Sequence, residues 1–290
     1  ITVTFTAPSS GASGVFFDTN STTTTAVTDI NGDATSSAFF ANSIMGSYVV
    51  HATVDLVGTA DFHLVNGNIE PVETYTSGNS TILPGTFVCD GFDPECAAGD
   101  THAKAAHKYA IGTYNLYLDQ HGRNSIDDNN MSIVSTVRYS SGYANAFWSG
   151  AQMVYGDAYG FPLADDVVAH ELTHGVTQYE SNLFYFYQSG AINESFSDVW
   201  GEYYDQSNGL GTDTPAVKWL IGEDVSGSTP IRSMSNPPTY GDPDKMSSAN
   251  YDESDLDNGG VHTNSGVNNK AVFLMVDGGS FNSKTVSALG

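Results

Sequence analysis

The chain has 290 residues, 40% apolar, 12% aromatic and 14% charged, which is enough apolar material for a sizeable core. Nine Lys plus Arg against 33 Asp plus Glu leave a formal net charge of −24, so the surface repels phosphate backbones and anionic headgroups, and no nucleic-acid partner is expected. No run approaches the roughly 18 consecutive apolar residues of a spanning helix, so no membrane span is expected either.

Ile1 already lies inside a β-like run, with no initiator Met and no signal peptide visible, which predicts a processed chain or a fragment. Residues 1–66 alternate apolar and Thr/Ser residues in short runs (ITVTFTA, TTTTAVTD, SYVVHATVD), the pattern of an all-β sandwich. Asn31-Gly32 between two such runs predicts a hairpin, and turn chemistry rather than calcium accounts for the flanking Asp29 and Asp33. The segment resembles a bacterial immunoglobulin-like repeat, which implies an N-terminally truncated sandwich able to bind a surface or polysaccharide.

Residues 67–78 lose the alternation and read as a linker, and a second unit spans 79–290. Cys89 and Cys96 sit close together in a turn-rich stretch where a local disulfide is geometrically easy, the competing reading being two free thiols. In an acidic, Lys-poor and exported chain the free thiols are the less expected reading. Asp100 opens a helical stretch with Ala103, Ala106, Ala110 and Tyr114 on one face. There His107 is expected to pack, and His102, His107 and His121 receive no functional role. Strand patterns return between 131 and 157, and the pattern from 165 onward is mainly helical, with loops at 207–216 and 226–260. The second unit therefore reads as an α+β lobe.

The chemistry concentrates in ADDVVAHELTHGVTQYE. With Asp165 or Asp166 as cap and Val167, Val168, Leu172 and Val176 as the apolar face, His170 and His174 fall one turn apart on one side of a helix. Two imidazoles so placed converge on one tetrahedral zinc ion, and hydrolytic zinc needs a third protein ligand and an open position. Glu194, in GAINESFSDVWGEYYD, is the candidate third ligand. Asp198, one turn further along, can accept the free N–H of a ligating His. Glu171 follows the first ligand, beside the ion rather than on it, and is the candidate general base. Tyr185 and His262 are candidate donors to a developing oxyanion, with Asp257 holding His262 protonated.

Between about 139 and 277 the motifs AFWSGAQMVYGD, DVVAHELTHGVT, SGAINESFSD, GEDV, IRSMSNPPTYGDPD and DNGGVHTNSGVNNKA occur in an order that resembles the thermolysin-like zinc metallopeptidases. The resemblance implies an α+β, two-lobed fold over 79–290, with a β-rich N-terminal lobe and a helical C-terminal lobe incomplete at Gly290. It also implies a secreted endopeptidase acting on proteins or peptides. His170, His174 and Glu194 would bind zinc, Glu171 would be the base, and Tyr185 and His262 would stabilise the tetrahedral intermediate. Asp198 and Asn193 would support the ligating histidines. Asn145 and the Ala146 carbonyl would bind substrate backbone, Arg232 the carbonyl beyond the scissile bond. Val167 and Ile231 would line the first primed-side pocket, implying cleavage before bulky apolar residues.

Calcium sites of that family correspond to Asp166, Glu202, Asp205 and Glu223, but Lys218 stands where a further carboxylate is expected. The Lys218 ammonium is therefore expected to replace at least one calcium. The competing function is an inactive protease-like adhesion or carbohydrate-binding protein acting through the immunoglobulin-like segment. An intact set of ligands and base argues against it, and three protein ligands plus a base argue against a purely structural zinc.

Overall fold

The computed structural model describes every residue except 43, 45, 68, 69, 213 and 226–228. Two compact units divide the chain, 1–69 and 70–290.

The first unit contains strands β1 (Thr2–Thr6), β2 (Gly14–Phe16), β3 (Thr23–Val27), β4 (Phe39–Ala41), β5 (Gly46–Val54) and β6 (Gly58–Asn66). Four of them form an antiparallel sheet in the order β3-β1-β5-β6, and β2 pairs with β4. Alternation places Val3, Phe5, Tyr48 and Val50 inward, where they meet Phe16 and Phe39, whose ring centroids are 4.8 Å apart. The all-β expectation thus holds, but Asn31-Gly32 does not close a hairpin. The flanking β3 and β4 pair with β1 and β2, not with each other. Turn chemistry does explain Asp29, whose carboxylate accepts the backbone N–H groups of Asn31 at 2.8 Å and Asp33 at 2.9 Å.

The second unit runs β7 (Val72–Thr76), β8 (Thr86–Asp90), α1 (Thr101–His121), β9 (Ile133–Tyr139), β10 (Ala146–Trp148), β11 (Met153–Gly156), α2 (Asp165–Glu180) and α3 (Tyr187–Asn208). Then come β12 (Leu220–Ile221), β13 (Arg232–Ser233), α4 (Asp257–Asn264), α5 (Gly266–Asp277), β14 (Gly279–Phe281) and β15 (Lys284–Val286). A five-stranded mixed sheet has the order β10-β11-β9-β7-β8, with β9 parallel to both β7 and β11. Helix α1 begins at Asp100, whose carboxylate caps the Ala103 N–H at 3.0 Å. Its Ala103, Ala106, Ala110 and Tyr114 share a core with Ile133, Val137, Met153, Val168 and Leu172. His107 is fully buried beside Thr74, with Nδ1 2.9 Å from Oγ1.

The expected linker at 67–78 is corrected by β7, a central strand of this sheet paired with β8 on one side and β9 on the other. Glu73 and Thr74 disguise it, because Thr74 is a polar side chain satisfied inside the core. Asn68 and Ile69, also within that expected linker, lie outside the described residues. Cys89 and Cys96 form the disulfide, closing the turn between β8 and α1.

The packing of α2 on α3 sets up the site. Gly201 permits it, since a Cβ there would lie 2.7 Å from the Asp166 carbonyl oxygen. Neither Asp165 nor Asp166 caps α2 as expected. Ala164 occupies the cap position, and both acids sit in the first turn, where they suit the positive end of the helix dipole.

Candidate active site

Helix α2 brings His170 Nε2 and His174 Nε2 to within 3.0 Å of each other. From α3, Glu194 places Oε2 3.5 Å from His170 Nε2 and Oε1 3.3 Å from His174 Nε2. The Asn193 carbonyl oxygen lies 2.8 Å from His174 Nδ1, so that nitrogen donates and Nε2 keeps its lone pair. His170 Nδ1 faces the Asp198 carboxylate at 3.0 Å, which assigns the same tautomer. Two lone pairs and a carboxylate thus face one another at a point where Glu194 Oε2, fully buried, has no hydrogen-bond partner among the described residues. A cation at that point reconciles them. Without one, His170 takes a proton: burial opposes its charge, yet Asp198 and Glu194 hold its pKa up at about 10. Burial likewise disfavours the Glu194 carboxylate, but His174 and His170 keep it ionised well below the usual range.

The donor set of two imidazoles and one carboxylate fits zinc with a coordination position left for chemistry. Beside it lies a cleft of about 650 Å³, lined among others by Asn145, Ala146, Trp148, Glu171, Tyr185 and His262. Glu171 is 6% exposed, and burial raises its pKa, favouring a carboxylate that accepts a proton readily. The Tyr185 hydroxyl donates to Glu194 and lies 3.3 Å from His262 Nε2. Burial, then the Glu194 charge, raises the Tyr185 pKa, so its phenol stays a donor. Asp257 grips His262 twice, accepting its backbone N–H at 3.0 Å and approaching Nδ1 at 2.8 Å, which turns Nε2 toward the cleft.

The structure therefore brings together His170, Glu171, His174, Glu194, Asn193, Asp198, Tyr185, His262 and Asp257, with Asn145 and Ala146 on the cleft wall. Val167, Ile231 and Arg232 are not among the residues lining this cleft. Arg232 instead donates Nε and Nη2 to Asp198 at 2.9 and 2.5 Å. The expected acidic cluster is present with a different membership: the Asp165, Asp205 and Glu223 carboxylates approach within 4.8 Å of one another. Asp166 and Glu202 turn toward the backbone N–H groups of Gly222 (2.5 Å) and Trp219 (2.6 Å). Lys218 does not fill that pocket. Its ammonium pairs with Asp277 at 3.0 Å and lies 5.2 Å from the Trp219 ring centroid, which corrects the expected calcium replacement.

One supporting residue escaped the sequence reading. Asn269 of α5, 1% exposed, donates to Asp198 Oδ2 at 2.7 Å. Its motif, DNGGVHTNSGVNNKA, was visible, but its contact across 71 residues was not.

The family profile described as "Thermolysin metallopeptidase, catalytic domain" matches residues 43–178, and "Thermolysin metallopeptidase, alpha-helical domain" matches 181–290. The chain is similar to bacillolysin of Brevibacillus brevis, 46% identical over 76% of this chain and 40% of that protein. It is equally similar to thermolysin of Alicyclobacillus acidocaldarius, 46% identical over 75% of this chain and 40% of that protein. The chain thus spans about 40% of the length of the curated relatives it matches. Among solved structures, the precursor of protealysin, a metalloproteinase from Serratia proteamaculans, matches with a TM-score of 0.60 and 36% identity, covering 70% of this chain and 67% of that one.

Proposed function

The chain belongs to the thermolysin metallopeptidase family, and from that premise we propose that it is a secreted zinc endopeptidase that hydrolyses internal peptide bonds. The observation that carries the reading is the meeting of His170 Nε2, His174 Nε2 and the Glu194 carboxylate, whose Oε2 has no hydrogen-bond partner among the described residues, beside an open cleft.

His170, His174 and Glu194 hold the zinc, which when bound supplies Lewis acidity toward water and carbonyl oxygen. Glu171, made more basic by burial, takes the proton from the attacking water and passes it to the leaving amine. His262 and the Tyr185 hydroxyl donate to the oxyanion as charge develops, and Asp257 keeps His262 aimed. Asp198 and Asn193 fix the tautomers of His170 and His174. Asn145 and Ala146, at the exposed edge of the sheet, bind substrate backbone. By family resemblance Val167 and Ile231, which stand outside the cleft lining, are assigned to selecting a bulky apolar residue after the scissile bond, and Arg232 supports that side through Asp198.

Calcium is assigned to the acidic cluster around Asp165, Asp205 and Glu223, and the first unit to an immunoglobulin-like sandwich that engages a surface or polysaccharide. Among the described residues no helix is long and apolar enough to cross a membrane. The test is casein hydrolysis by the purified chain, abolished by a chelator and restored by zinc, with cleavage mapped before Leu, Ile, Phe or Val. Hydrolysis that persists after complete metal removal would refute the proposal.

A further inference from the structure

His262 stands at the end of an unusual turn. Asp257, Asn258, Gly259 and Gly260 all have positive φ, at 49°, 52°, 88° and 70°. Successive left-handed residues are costly for L-amino acids and persist only where the surroundings determine them. Here the inner side is set by Asn264, 3% exposed, which accepts the Asp252 N–H at 2.9 Å and donates to the Asp252 and Gly259 carbonyls at 2.9 and 3.3 Å. The Leu256 carbonyl adds the N–H groups of Gly259 and Gly260.

On the outer side lies Tyr187. Its ring lies so close over Gly259 that a Cβ at that position would overlap it. Its hydroxyl donates to the carboxylate of Asp255, just before the turn. The ring in turn rests on Phe186, with centroids 4.5 Å apart. Tyr187 is the first residue of α3, the helix that carries Glu194, and it does not line the cleft. It therefore ties the helix bearing the metal-binding carboxylate to the turn bearing the oxyanion donor.

We propose that Tyr187 is a positioning residue for His262: seated on Gly259 and bonded to Asp255, it fixes the left-handed turn that holds Asp257 against the imidazole. The kinetic consequence rests on the proposed role of His262, whereas the structural hold does not, so two readouts separate them.

Amide hydrogen exchange on the full zinc-loaded chain reads the hold directly. Tyr187→Ala is expected to speed exchange across 256–264 by roughly tenfold while leaving 165–180 unchanged, because only the turn loosens. Kinetics read the coupling: kcat is expected to fall about 10- to 100-fold with KM within about threefold, and the fall is expected to vanish in a His262→Ala background. Unaltered exchange at 256–264 would overturn the proposal, as would the same loss of kcat whether or not His262 is present. If His262→Ala alone left kcat intact, the role given to His262 would be wrong, and exchange would still decide the hold. Should the alanine variant not fold, Tyr187→Phe carries the test. Removing only the Asp255 bond is expected to speed exchange about two- to tenfold, and no change would overturn the proposal.

Discussion

Replacing Asp198 with Asn keeps its shape and removes its charge, at the point where stability and metal binding are joined. Asp198 is fully buried and accepts Arg232 Nε and Nη2, at 2.9 and 2.5 Å, and Asn269 Nδ2, at 2.7 Å, while facing His170 Nδ1 at 3.0 Å. Burial alone would raise its pKa, but the Arg232 guanidinium and His170 hold it well below the ordinary 3.8. Its contribution is accordingly present above that ordinary value and is lost only as pH falls through the lowered one. The Arg232 side chain is 11% exposed and its next carboxylate, Glu194, is 3.9 Å away, so Asp198→Asn removes the closer partner of a buried cation. Breaking a buried pair from one side costs about 3–5 kcal/mol. Losing the carboxylate behind a ligating His also weakens metal binding by about 10- to 100-fold. Denaturant unfolding of the metal-free variant at pH 7 measures the first effect, and competition with a zinc chelator measures the second. Asn269→Ala, which removes one neutral donor and leaves the ion pair, is expected to cost only about 1 kcal/mol. An Asp198→Asn protein with the parent's unfolding midpoint and zinc affinity would refute this reasoning.

Gly201→Ala is expected to lower stability by about 1–3 kcal/mol, because the new methyl meets the Asp166 carbonyl 2.7 Å away where α2 crosses α3. A melting temperature equal to the parent's would show that the crossing has slack. Replacing Cys89 and Cys96 together by Ser removes a bridge with a sequence separation of 7, worth ~2.5 kcal/mol by loop entropy. Cleavage activity should survive that change in the folded fraction, since neither residue lines the cleft. Burial pushes Glu202 up to about 7, so between its ordinary 4.5 and 7 the folded metal-free chain binds more protons than the unfolded one. Its contribution then makes stability fall with rising pH, by on the order of 3 kcal/mol across that window. Chemical denaturation of the metal-free chain at pH 5, 6 and 7 checks the sign. Stability that rises with pH in Glu202-containing but not Glu202→Gln protein would contradict the assignment.

The legible parts of this chain were those written in local spacing. His170 and His174 share a helix face, as do Glu194 and Asp198, because residues four apart are neighbours on any α-helix. The disulfide was legible because a short turn-rich loop already brings its ends together. Illegible features depended on partners distant in sequence. Strand β7 hid because Thr74 is polar, and only the packing of α1 supplies the His107 that satisfies it. Asn31-Gly32 had the composition of a hairpin, but strand pairing is decided by the whole sheet. Lys218 was expected among the calcium carboxylates, and only the fold brings Asp277 to it across 59 residues. The same holds for Arg232, whose reach to Asp198 spans 34 residues.

The central claim is a metal-activated hydrolysis in which Glu171 handles the proton. Its most direct measurement pairs zinc stoichiometry with turnover in Glu171→Ala. Because Glu171 is not among the grouped metal donors, that variant should retain one zinc per chain while peptide cleavage falls by about 10²–10⁴-fold. Near-parental turnover with zinc fully bound would contradict the account.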